Sequence, residues 1–201
     1  MTRSTDIESL VDKDILEIDQ RCSEAEIRSL IIKAGRGSGL PLGHSAEISD
    51  LAPKLMSDPK FMFMIVDALS EDHQKVQVEV NSKEIRIKNA RFAMCGPVLV
   101  DSLLSDFDEV ILEDLKWPAL LRLFLMTSQE KYGVFFRIAE VDKGHLSITL
   151  SEKNLFEKVG PAVSIPTSVI KSLDRMASKT YVPESDVSRL KGAGAGLIDN
   201  D

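Results

Sequence analysis

Hydrophobic positions recur along this chain with two different periods. Over the first seventy residues the spacing is helical. Ile27, Leu30, Ile31 and Ala34 share one face, as do Ile48, Leu51, Ala52 and Leu55, and then Phe61, Met62, Ile65, Val66 and Leu69. Ser23 and Glu26 have the spacing of a capping box, in which each side chain meets an orphan amide of the first turn. Pro53 falls inside the second pattern, where its missing N–H and its ring predict a break or a fresh helix start. Asp58 and Pro59 read as an N-cap followed by the first helical position.

From residue 76 the period drops to two. Val76, Val78 and Val80 alternate with polar residues, as do Ile85 and Ile87, with Asn81-Ser82 as the turn between them. A third strand through Phe92 and Met94 is expected, then a helix opening at Gly96-Pro97. Glu109–Leu115 reads as an edge strand with a solvated acidic face. Trp117-Pro118 starts a helix that Gly133 ends. Residues 134–141 and 145–151 form the clearest hairpin, and Gly144 supplies the positive φ that a bulged turn needs. A short strand near 162–165 and a last helix through Val169, Leu173 and Met176 complete the pattern. The order hairpin, third strand near a Gly-Pro, helix occurs twice, over 75–105 and 134–178. That suggests either an internal ββ(β)α repeat or two units of common supersecondary grammar.

These periods predict an α+β fold: an N-terminal helical segment on a mostly antiparallel sheet, with further helices covering one face. Residues 1–21 are polar and acidic and read as a flexible arm, with a single domain over 22–201. Its parts are the helical segment 22–70, the sheet with helices 75–178, and a glycine-rich tail 179–201. With 201 residues and 43% hydrophobic content, a sizeable core is expected without staples. The net charge of −7 argues against general nucleic-acid or anionic-membrane binding. The two cysteines, Cys22 and Cys95, read as reduced thiols. No secretory signal or membrane-length apolar run is visible, so a cytoplasmic location is expected by elimination.

The tail from Thr180 through Val182, Pro183, Arg189 and Gly192 to Asp201, and the stretch Lys33 to Gly43, resemble the two ends of a bacterial family known only as domain of unknown function 3726. A tryptophan is common in that family at the position of Leu42, where this chain departs. The resemblance implies one bacterial domain from about residue 23 to the end, and it supplies no activity.

The strongest ligand candidate is the bend Gly35-Arg36-Gly37-Ser38-Gly39 between the first two helices. Gly35 stands where a helix would end with positive φ, glycines let amides converge, Lys33 and Arg36 add charge, and a helix begins after Gly43. The alternative is a plain interhelical turn. A dinucleotide loop is excluded because such loops follow a strand. His44 adjoins the bend, and the tail Gly192–Asp201 reads either as a disordered terminus or as one docked across the bend, with Asp199 and Asp201 paired to Arg36 or Arg189. His73 reads as a loop residue, His145 as a strand start, and no histidine has metal-ligand spacing, so no metal site is expected. Cys95 reads as an inert packed thiol. Nothing identifies a cofactor or catalytic residue. The expectation is a non-catalytic module that binds a partner protein or a small anionic ligand through Gly35–His44. The alternative is an enzyme on a small carboxylate or phosphate, with Arg36 binding and His44 as general base.

Overall fold

The computed structural model describes residues 20–71, 73–142, 144–153 and 160–180. The expectations for the acidic arm up to residue 19, and for the tail with Arg189, Asp199 and Asp201, lie outside the described residues, as does Lys143.

Among the described residues four helices come first: α1 (Glu24–Gly37), α2 (Leu42–Ser49), α3 (Ala52–Leu55) and α4 (Pro59–Leu69). Their starts follow from local chemistry. Ser23 Oγ accepts from the Glu26 amide, and Glu26 Oε2 accepts from the Ser23 amide at 2.7 Å, so the capping box closes in both directions. Pro53 does restart the helix, standing in the first turn of α3. Asp58 accepts from the Lys60 amide at 2.9 Å and Pro59 opens α4. Each helix turns its apolar stripe inward, so Ile27, Ile31, Ile48, Leu51, Leu55, Met62, Ile65 and Leu69 are all buried.

Among the described residues the sheet has five strands in the order β1-β2-β3-β5-β4. Strands β1 (Gln77–Val80) and β2 (Glu84–Lys88) form one hairpin, and β4 (Phe135–Asp142) and β5 (His145–Ser151) the other. Between them runs β3 (Glu109–Glu113), antiparallel to β5 but parallel to β2. Helix α5 (Phe92–Leu104) connects β2 to β3, and α6 (Pro118–Tyr132) connects β3 to β4. Ile85, Ile87, Val110, Leu112, Ile148 and Phe136 point to the face that α5 and α6 share. The opposite face carries Glu79, Glu84, Arg86, Lys88 and Glu113, laced by pairs such as Arg86–Glu113 at 2.9 Å. The last helix, α7 (Thr167–Ala177), packs on α1. The α+β architecture with a mostly antiparallel sheet is therefore present.

Four details correct the sequence reading. Glu109–Glu113 is the central strand, not an edge. Val110 and Leu112 are buried under the helices, and Ile111 is buried on the other face because β2 and β5 flank it and place Arg86 and Ser147 beside it. No third strand forms through Phe92 and Met94. Phe92, Gly96, Leu99, Val100 and Leu103 supply a helical stripe, so α5 starts before Gly96-Pro97 and absorbs it. Residues 162–165 contribute one isolated bridge, Gln20 to Ile165, rather than a strand. His73 is buried in a single 3-10 turn, not solvated. Of the suggested repeat, the two hairpins do flank β3 symmetrically, but their third strands are missing and α7 leaves the sheet for α1.

A charged tie joins the helical segment to α6. Asp50, which ends α2, accepts from Arg28 of α1 and from Lys131 of α6, the latter at 2.9 Å. Partial burial alone would raise its pKa, but the hydrogen bonds and charges of Lys131 and Arg28 outweigh that and hold it below the ordinary 3.8. A depressed folded pKa means the contribution is complete above 3.8 and is lost as pH falls through the folded value. Asp50→Asn is therefore expected to lower stability at neutral pH by on the order of 1 kcal/mol, since the network is partly solvated. It also removes Asp50's share of the acid limb. Urea midpoints of both proteins from neutral pH to pH 2 check this; parallel curves would refute it.

Candidate functional site

The bend that the sequence singles out is closed by its own backbone. Helix α1 continues through Gly35, Arg36 and Gly37, so the positive φ falls at Gly39, where φ is 90°. The amide of Ser38 donates to the carbonyls of Ala34 and Gly35, that of Gly39 to Arg36, and that of Leu40 to Gly35. No converging amides remain there for an anion. The glycines serve close approach instead. A Cβ on Gly35 would lie 2.7 Å from Ser45 Oγ, and one on Gly37 only 1.8 Å from the Met176 carbonyl oxygen. Ser38 Oγ meets the Met176 sulfur at 3.2 Å, so this side of the bend is a seat for α7.

Of the other predicted residues, Arg36 stands in the last turn of α1 and His44 in α2. Arg36 is exposed. His44 lies in the opening turn of α2, beside the Met94 backbone and the Asp101 carboxylate of α5. Burial pushes its pKa down, and its Nε2 is buried without a hydrogen-bond partner. Lys33 lines a cleft of about 550 Å³ between α1 and α7, with Cys22, Leu30, Ile170 and Asp174. Cys95 is fully buried within α5 and its thiol pKa is pushed up to about 12 by desolvation, which keeps it un-ionised.

A different set of residues does converge, at the carboxyl end of the parallel pair β2 and β3. In open sheets with parallel strands, ligands sit outside the carboxyl ends, where loops lead into helix N-termini. Here the loop after β2 holds Asn89-Ala90-Arg91 and leads into α5. The loop after β3 holds Asp114-Leu115-Lys116-Trp117 and leads into α6. The two loops are stitched side by side: the Ala90 amide donates to the Glu113 carbonyl at 3.0 Å, and the Lys116 amide to the Ala90 carbonyl at 3.1 Å. Asn89, Asp114 and Trp117 have φ of 50°, 52° and 69°, and they are the non-glycine residues with positive φ among those described. Such backbone costs roughly 1–3 kcal/mol per residue, and its concentration in two adjacent loops marks a place held in shape by its surroundings. Neither helix has a side-chain cap, so their first amides have no acceptor within the helix.

One carboxylate occupies this crevice, and it comes from the segment after α4. Glu71 Oε1 lies 3.1 Å from Lys116 Nζ and accepts from Trp117 Nε1 at 3.3 Å. Its Oε2 lies 2.8 Å from Arg91 Nε, an ion pair whose N–H points too far aside for a hydrogen bond, so this buried oxygen has no aligned donor. Arg91 also donates to the Asn89 and Ala90 carbonyls, both at 3.2 Å, which fixes its guanidinium over the loop. The side chains of Glu71 and Arg91 are 13% and 14% exposed, against 56% for Lys116, so the crevice opens on the lysine side. No grouping of described residues could hold a metal ion.

Sequence reasoning passed over these residues because Glu71, Arg91 and Lys116 stand 20 to 45 positions apart and form no local motif. The usable signal was the pair of strand-to-helix junctions, Arg91-Phe92 and Trp117-Pro118, which becomes a site only once β2 and β3 are known to run parallel. Comparisons with known protein families, with curated proteins and with solved structures give no match to this chain.

Proposed function

We propose that this protein is a non-catalytic binding module that receives an anionic group, a carboxylate or phosphate of a small ligand or of a partner's side chain, at the carboxyl end of β2 and β3. The observation that carries the reading is the convergence of Arg91, Lys116 and the Trp117 indole on one carboxylate whose second oxygen lacks an aligned donor. Glu71 then acts as an internal stand-in. An incoming anion competes with it for Arg91 and Lys116, and the uncapped starts of α5 and α6 favour negative charge nearby. The bend Gly35–Gly39 has no free amide to offer and acts in this reading as a helix seat. An enzyme acting on a small carboxylate or phosphate needs the same anion subsite and also a general base. His44, the candidate for that base, packs on α5 beside the Met94 backbone and the Asp101 carboxylate.

The test uses inorganic phosphate as probe. Glu71→Gln keeps the shape and removes the competing charge. It is expected to cost stability without phosphate, about 2 kcal/mol for a partly buried charge left unpaired. It should also bind phosphate at least about tenfold more tightly than the natural chain, a gain of roughly 1.4 kcal/mol. Lys116→Ala in the same background should abolish the gain. Calorimetric titration reads all three. Equal phosphate binding by the natural chain and Glu71→Gln would refute the site.

A further inference from the structure

We infer that β1 is a homodimerisation edge, and that two copies pair antiparallel about a twofold axis at Val78 to join their sheets. Strand β1 pairs only with β2 among the described residues, and all four of its residues are exposed. Val78 and Val80 are 50% and 63% exposed although they lie on the helix-bearing face, opposite Ile87 and Ile85. An unpaired strand edge with outward apolar side chains is a template for another strand, and natural edges are ordinarily blunted by lysine, proline or a bulge. Residues 76–80, Val-Gln-Val-Glu-Val, contain no lysine, proline or bulge, and their one charge, Glu79, is paired with Lys88 of β2 at 2.6 Å.

The backbone phase fixes the register. The Asn81 amide donates inward to the Glu84 carbonyl at 2.9 Å. Because hydrogen bonding alternates along an antiparallel ladder, Asn81, Glu79 and Gln77 face β2, while Val80 and Val78 direct N–H and C=O outward. Two identical strands can pair antiparallel with the same face up only about an axis normal to the sheet, which places one residue opposite its own copy. Centred on Val78, the pairs are Val78 with Val78, Val76 with Val80, and Gln77 with Glu79. Val78 then exchanges hydrogen bonds with its own copy, and Val80 does so with Val76 once the pairing extends one residue beyond β1. Valine stacks on valine on the helix side, and an amide meets a carboxylate on the other. Centred on Glu79, two carboxylates oppose each other, which is unfavourable. Centred on Gln77, Val80 loses its valine partner. The occupant that best matches this edge is therefore a second copy of the chain.

Sedimentation velocity across about a hundredfold range of concentration is expected to show a monomer–dimer equilibrium. Val78→Lys places like charges at the axis and should weaken dimerisation by at least about tenfold, with unchanged circular dichroism. The register has its own readout. In a Cys22→Ser background, Val78→Cys should form a disulfide-linked dimer under mild oxidation, because paired Cα atoms lie about 5.5 Å apart in a hydrogen-bonded pair. Glu79→Cys should not, since its counterpart is Gln77. A monomer throughout, a dimer indifferent to Val78→Lys, or cross-linking at Glu79→Cys in preference to Val78→Cys would each overturn the inference.

Discussion

Gly37→Ala is expected to destabilise the protein by about 3 kcal/mol or more, at the upper end of what overpacking costs. The reason is geometric. The added methyl would stand 1.8 Å from the Met176 carbonyl oxygen, and that oxygen belongs to the backbone of α7. A flexible side chain could swing aside, but a helix backbone cannot. Helix α7 would have to lift from α1, and with it would go the buried positions Val169, Leu173 and Met176. Intrinsic propensity pulls the other way, because alanine is better than glycine inside a helix by roughly 1 kcal/mol. Gly43→Ala isolates that term: Gly43 lies in α2 and a Cβ there meets nothing within 4 Å. It should be neutral or stabilising. Urea midpoints of the two variants are expected to move in opposite directions. A Gly37→Ala protein as stable as the natural chain would mean that α7 does not seat on α1 at this point.

The second large effect is expected at Phe92. Its ring is fully buried at the start of α5 and meets Phe124 of α6 edge-on, with centroids 6.0 Å apart and planes at 74°. Gly96 packs beside both rings, where an added Cβ would be in ordinary contact, 3.4 Å from Phe124 and 3.5 Å from Phe92. The pair therefore clamps α5 to α6 beneath the two loops that carry Arg91 and Lys116. Phe92→Ala should cost about 3–5 kcal/mol in cavity and transfer terms. The lost edge-to-face contact, worth roughly 0.5–1.5 kcal/mol, is part of that total. Phe63→Ala is the control, the same truncation at a ring 44% exposed on α4, and should change stability little. Chemical denaturation separates the two. Equal costs would show that burial at Phe92 is not what holds the helices together.

The elements that were legible from sequence are those whose cause lies within a few residues. Ser23 and Glu26 close their capping box across three positions, Asp58 caps α4 across two, and Gly133 ends α6 by taking the left-handed conformation its lack of Cβ allows. The hairpin of β4 and β5 followed from strict alternation around Gly144. The candidate site was not legible for the same reason inverted. The Gly35–Gly39 stretch has the composition of an anion cradle, yet glycine serves loop freedom and close helix packing equally well, and composition does not distinguish them. Glu71 and Arg91 look like ordinary surface charges until the fold brings them together.

Local chemistry by itself determined where most helices begin and end, which residues face inward, and that two hairpins exist. Tertiary structure alone decided that β3 lies between those hairpins and runs parallel to β2. It likewise decided that Gly37 faces a backbone oxygen 139 residues later, and that two cations and an indole N–H converge on one carboxylate. The division has one physical reason. Dihedral preference, capping and side-chain period are interactions between near neighbours and are written in consecutive residues. Strand order and charge convergence depend on which distant surfaces exclude water together, and only the folded chain fixes that.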